Sequence, residues 1–171
     1  MSVETHEQSA LTLTIARMEA ELSLLLGWVR AAETRLAFVL PLSMAMLGAL
    51  AVLAPSAPKW TIVGSVFSAF AALSLVLSIA LAALASFPRT TGPKGSLIYF
   101  GGITTRDLVQ YEQEVKSQSL ESHLDDLIRQ CHRNAQIAER KYTWIQRSMV
   151  CLFISTLPWV ISLFILYSAK L

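Results

Sequence analysis

Three runs of apolar residues, at positions 36–54, 61–87 and 149–169, stand out against an otherwise polar chain. At 1.5 Å per residue each is long enough to cross a hydrocarbon core of about 30 Å. A soluble fold would have to bury three such helices on every face, and a chain of 171 residues has too little other material to do so. Two polar segments carry a helical pattern into these runs. Leu11, Ile15, Met18, Leu22, Leu25, Val29, Ala32 and Leu36 recur at alternating spacings of four and three, the pattern of a helix packed along a narrow seam. A second series, Leu124, Ile128, Cys131, Ala135, Ala138, Tyr142, Ile145, Met149 and Leu152, leads into the third run. No proline interrupts either approach, so the pattern predicts one helix from the N-terminal region through the first run. It predicts another from about 120 to 169, about 75 Å long. The predicted class is an all-α membrane protein with three transmembrane helices, its N-terminal and central helices projecting into the cytoplasm. The predicted divisions are a cytoplasmic helix at 1–35, a transmembrane hairpin at 36–87 (spans 36–54 and 61–87), a cytoplasmic linker and helices at 88–147, and a third span with an external C-terminus at 148–171.

Composition agrees: 54% of residues are hydrophobic and 15% charged, against roughly 25% charged in soluble domains. Twelve of the fourteen basic residues lie before the first run or between the second and third, leaving Lys59 and Lys170 on the other side. The positive-inside rule then predicts a cytoplasmic N-terminus and central segment. All twelve acidic residues share that side, so the basic excess reports topology and not a nucleic-acid surface. No basic segment followed by a short apolar core marks a cleaved signal. Cys131 and Cys151 are twenty residues apart on one predicted helix, too far for a disulfide. Neither His123 nor His132 has companion ligands at metal spacing.

The helical pattern breaks at residues 88–107, which hold four of the seven glycines and two of the six prolines. Thr104 or Thr105 reads as an N-cap for a short helix to about Gln118. Gly101 and Gly102 before a capped helix would present backbone N–H groups to an anion, Arg106 would pair with a phosphate, and Tyr99 and Phe100 would stack a base. The competing reading is an interfacial linker whose Leu97 to Phe100 dip into lipid headgroups. Small residues crowd the second run, from Gly64 and Ser65 to Ala85. They fit either packing within the chain or a homo-oligomer whose serine-lined faces form a pore. No paired carboxylates, Ser-His-Asp set or complete phosphate loop is present, so no enzyme activity, cofactor or metal is predicted.

Four short motifs carry a family resemblance. They are Ala32-Glu33-Thr34-Arg35 entering the first span, Leu97-Ile98-Tyr99-Phe100-Gly101-Gly102-Ile103, Tyr111, and Ala138-Glu139-Arg140-Lys141-Tyr142 leading into the last span. In order and spacing the chain resembles the transmembrane effectors of Pycsar anti-phage defence systems. The usual acidic and basic entry residues, Asp and Lys, are Glu33 and Arg35 here, and a single Phe100 precedes the glycines. The resemblance implies a bacterial inner-membrane effector, functionally linked to a pyrimidine cyclase. It would respond to cyclic CMP or cyclic UMP by impairing the membrane, with growth arrest or death of the infected cell. On that reading Tyr99, Phe100, Gly101, Gly102, Thr105, Arg106, Lys141 and Tyr142 are the candidate ligand residues, and the partners are the lipid bilayer, the nucleotide and further copies of the chain. The alternative is a non-conducting membrane adaptor that docks a soluble partner through its cytoplasmic helices.

Overall fold

The computed structural model describes residues 2–54, 56 and 60–169, with side chains from His6 onward. Pro55, Ala57, Pro58, Lys59 and Lys170, which carry much of the expected external turn and both external basic residues, lie outside the described residues. The elements are α1 (Ser2–Leu53), α2 (Ile62–Ser86), α3 (Phe100–Ile103), α4 (Leu108–Ser117) and α5 (Leu120–Ser168), with no strand among the described residues. Helices α1, α2 and α5 are each long and apolar enough to cross a membrane, so the chain is of the all-α membrane class. Pro41 and Pro158 lie inside α1 and α5, which continue through them.

The chain divides into two compact units, Met1–Ala31 with Pro88–Glu139, and Ala32–Phe87 with Arg140–Leu171. Helices α1 and α5 contribute residues to both.

The second unit holds the apolar spans, and its packing follows a heptad rule. Buried positions step by four and three along each helix: Ala32, Leu36, Val39, Ser43, Met46 and Leu50 on α1, and Ser68, Ala71, Leu75, Ser78, Ala82 and Ala85 on α2. On α5 they are Lys141, Ile145, Ser148, Leu152, Ser155, Ser162 and Leu166, with half-buried Trp159 at the step between Ser155 and Ser162. This repeat keeps one face of each helix toward its neighbours, and its small members let the backbones approach closely. Serine hydroxyls need partners where no water reaches; Ser43, Ser78 and Ser148 find them across helices, Ser155 and Ser162 on their own helix, and the Ser68 hydroxyl has none among the described residues. The Ser78 hydroxyl donates to the Ser148 carbonyl at 2.9 Å and lies 3.1 Å from the Ser43 hydroxyl, while the Ser148 hydroxyl donates to the Ser78 carbonyl at 2.8 Å. The Trp159 indole donates to the Met46 carbonyl at 2.8 Å. Phe38, Leu73, Phe153, Leu157 and Phe164 face outward and exposed, as a lipid-facing surface requires. The small residues of α2 are divided: Gly64, Ser68, Ala71, Ser78, Ala82 and Ala85 are buried within the chain, whereas Ala69 and Ala80 are exposed.

The seam expected on α5 needs correction. Cys131, Ala138, Ile145 and Leu152 lie on it, but Ile128 and Ala135 are exposed, and the alternate positions belong to Leu127, Lys141, Ser148, Ser155 and Ser162. Polar residues at every second step of the true seam make the neighbouring face look like the buried one.

In the first unit, Ile15 of α1 and Leu127 and Cys131 of α5 are buried, with Met18, Leu22 and Leu25 half-buried. Both cysteines are free. Burial pushes the Cys131 thiol pKa up, and the nearby Glu21 carboxylate raises it further; the thiol donates to the Met18 carbonyl at 3.5 Å. It is therefore a packing group and not a reactive thiolate. The expected N-cap at Thr104 or Thr105 is also corrected. Asp107 caps α4, its carboxylate accepting from the Gln110 amide at 2.8 Å.

Candidate functional site

The glycine-rich break belongs to the first unit, where buried polar groups hold it against α5. Ser96, 3% exposed, is the pivot. Its hydroxyl donates to the Asp126 carboxylate at 3.0 Å and accepts from the Tyr99 amide at 2.9 Å, the Ile98 amide at 3.2 Å and the Gln130 amide group at 3.0 Å. Asp126 also accepts from the Leu97 amide at 2.8 Å. Asp126 and Gln130 are one turn apart on α5 and both buried, and a buried carboxylate is tolerated because donors surround it.

Arg106 closes the segment from the other side. Its guanidinium donates to the carbonyls of Gly95 at 2.9 Å, Ser96 at 3.3 Å and Gly102 at 2.5 Å, and to the Glu114 carboxylate at 2.7 Å. The fixed fork of an arginine suits several carbonyls at once. Two glycines make this fold-back feasible. Gly95 has φ +76°, a left-handed conformation that costs other residues. A Cβ on Gly102 would run into the Ser96 carbonyl.

Against this wall lies a polar cleft of about 610 Å³. Residues 94–97 form one side, the α4–α5 junction at Ser117, Gln118 and Ser119 another, and α5 contributes Glu121, Asp125, Asp126 and Arg129. Lys94 and Arg129 are exposed cations there. Of the acids, Glu114 is paired with Arg106 and Asp126 is hydrogen-bonded, which leaves Glu121 and Asp125 exposed. The cleft thus combines two cations suited to a phosphate with carboxylates that accept from hydroxyl and amino donors. Among the described residues no cluster suited to a metal ion occurs.

Six of the candidate ligand residues lie in this segment, and none of them lines the cleft. Tyr99 is folded back over Gly92 and Gly101, with its hydroxyl on the Thr90 carbonyl. Phe100 is 59% exposed, its ring 4.5 Å from that of Tyr99. Gly101 and Gly102 lie within α3, and the Gly102 amide donates to the Tyr99 carbonyl at 2.9 Å. The Thr105 hydroxyl donates to the Gly102 carbonyl at 2.7 Å. Arg106 is 11% exposed. Of the glycine pair expected to offer amides ahead of a capped helix, the Gly102 amide is therefore taken up within the turn that forms α3. Lys94, Arg129, Asp126 and Gln130 were not singled out by the sequence. A single lysine among glycines, and polar residues on a helix of mixed character, give no local sign of a cleft.

Lys141 and Tyr142 belong to the second unit and meet the motif at the entry to the first span. The Lys141 ammonium lies 2.6 Å from the Glu33 carboxylate. Arg35 stacks 5.1 Å from the centre of the Tyr142 ring. Two motifs more than one hundred residues apart thus form one α1–α5 contact, a salt bridge beside a cation–π pair.

Comparison with known proteins covers the same stretch. The family model described as PycTM, Pycsar effector protein domain, matches residues 17–168. The Pycsar effector protein PtPycTM of Propioniciclava tarda is 29% identical over 151 residues, spanning 79% of this chain and 75% of that protein. No solved structure matches. With three helices able to span a membrane, and with a family match that runs from α1 to the end of α5, the chain belongs to the Pycsar effector family, the membrane effectors of an anti-phage defence system.

Proposed function

We propose that this effector responds to a cyclic pyrimidine nucleotide, cyclic CMP or cyclic UMP, by impairing the integrity of the bacterial inner membrane, arresting or killing the infected cell. The observation that carries the reading is the polar cleft, built in the unit that lacks the apolar spans and lined by residues 94–97, which lead into the family's aromatic-glycine segment. In this reading residues 1–35 and 88–147 are cytoplasmic, 36–54, 61–87 and 148–171 form the spans and external end, and a pyrimidine cyclase supplies the signal. The cyclic phosphate sits between Lys94 and Arg129, and the sugar hydroxyl and base donors face Glu121 and Asp125. Arg106, Gly102 and Thr105 brace residues 95–102 from behind the cleft, and Gly101, Tyr99 and Phe100 belong to the same turn outside its lining. Lys141 and Tyr142 act in the response, through their contact with Glu33 and Arg35. Helices α1 and α5, which supply both units, are the path from binding to membrane. Binding must favour an altered membrane arrangement to act as a switch, and several copies assemble to produce it.

Thermal unfolding of the detergent-purified chain, titrated with the cyclic forms of UMP, CMP, AMP and GMP, tests the binding step. A ligand of the folded state at a hundredfold excess over Kd adds about 2.7 kcal/mol. A rise with one pyrimidine, weakened at least tenfold by Lys94→Ala with Arg129→Ala, is expected. Equal responses to all four, or none, would remove the nucleotide from the account. A second reading, docking of a soluble partner without membrane damage, is favoured by the exposed Leu13, Leu24 and Trp28 on the N-terminal half of α1. Membrane leakage separates the two.

A further inference from the structure

Between α2 and α5 of the second unit runs a groove of about 570 Å³ whose two ends differ in chemistry. The Ser78–Ser148 hydrogen bond sets these positions level, and the approach of Gly64 to Ile165 fixes the helices as antiparallel. Leu81 therefore falls beside Thr143, Gln146 and Arg147, and Leu77 beside Val150. One end is cationic and rich in hydrogen-bond donors; the other is apolar. No Asp or Glu lines the groove. Arg147 has no carboxylate partner among the described residues, and its guanidinium is steadied 5.2 Å from the centre of the Trp144 ring.

The depth of Arg147 is set by the helix. Twenty-two residues separate it from the end of the third apolar run at Ala169, about 33 Å at 1.5 Å each, close to the thickness of a hydrocarbon core. Arg147 thus lies at the boundary between headgroups and acyl chains, with Leu77 and Val150 one turn deeper.

We propose that this groove binds an anionic phospholipid. The phosphate takes the forked N–H groups of Arg147, Gln146 supplies a further donor, and an acyl chain lies along Leu77 and Val150. A free phosphate would leave the apolar half bare, whereas a lipid matches both halves. The bound lipid bridges α2 and α5 at the basic end of the bundle, so the anionic lipid content of the membrane contributes to the stability of the resting arrangement.

The test is thermal unfolding of the full chain in neutral detergent, titrated with phosphatidylglycerol or with phosphatidylcholine of the same acyl chains. The variants are Arg147→Gln, Val150→Trp and, as a control outside the groove, Arg140→Gln. Phosphatidylglycerol is expected to raise the midpoint of the wild type and of Arg140→Gln, with apparent affinity at least tenfold weaker in Arg147→Gln. Val150→Trp fills the apolar half and should lose the response while keeping the charge. Should Arg147→Gln fail to fold, Val150→Trp and the two lipids still decide. An equal effect of phosphatidylcholine, an unchanged response in either groove variant, or the same shift with inorganic phosphate would overturn the proposal.

Discussion

Glu33→Ala is expected to lower the thermal midpoint of the protein far more than Lys141→Met, although the two residues share one salt bridge. The side chain of Lys141 is 8% exposed and that of Glu33 56% exposed. Removing Glu33 strands an ammonium inside the packed contact of α1 with α5, and breaking a buried pair in this way costs about 3–5 kcal/mol. Partial exposure of the carboxylate places the effect at about the lower figure. For a chain of this size that is a fall of roughly 6–12 °C. Removing Lys141 leaves only a carboxylate that water already reaches, and methionine fills the volume, so the loss should stay under about 1 kcal/mol. Reversing the pair as Glu33→Lys with Lys141→Glu should recover part of the loss. Equal midpoints for the two single variants would show that Lys141 does not depend on Glu33 in the folded protein.

The second large effect is expected at Arg106. Arg106→Ala leaves the Ser96 carbonyl without its partner, leaves the Gly102 carbonyl with the Thr105 hydroxyl alone, and releases Gly95; hydrogen bonds from a charged donor are worth about 1.5–3 kcal/mol each, though not additively. A loss of about 3 kcal/mol is expected. Arg106→Lys should recover little of it, since a single ammonium cannot reach three carbonyls and Glu114 together. Hydrogen exchange localises the damage: amides of residues 96–103 should exchange faster in both variants and stay protected in Arg129→Ala. The nucleotide response should also be lost, because the cleft loses its wall. Unchanged exchange at Leu97 and Gly102 would contradict the role given to Arg106.

These two residues also mark where the sequence stops being informative. The helices themselves could be read from it, because α1 keeps an unbroken apolar seam from Leu11 to Leu36 that is buried or half-buried throughout. The seam of α5 is concealed by Lys141, Ser148, Ser155 and Ser162, polar residues whose burial is licensed only by partners on other helices or by their own helix carbonyls. The Glu33–Lys141 pair joins residues 108 apart, a proximity that no local pattern encodes. The glycine-rich break was visible as an interruption of the helices, but its form was not. The Gly102 amide that a capped helix would have exposed is taken by the Tyr99 carbonyl because α3 forms across the glycine pair, held by Ser96 and Arg106 against the low helix propensity of glycine. The cleft arises from the meeting of this segment with α5, so its cations were indistinguishable in sequence from ordinary surface residues.

The central claim, that a cyclic pyrimidine nucleotide makes this chain damage a membrane, is tested most directly by dye release from proteoliposomes holding the purified protein. Release is expected when cyclic UMP or cyclic CMP is added, absent with cyclic AMP or cyclic GMP at the same concentration, and strongly reduced in Lys94→Ala with Arg129→Ala. Retention of the dye with both pyrimidine nucleotides, by protein shown to be folded and inserted, would contradict the account and leave a membrane adaptor in its place.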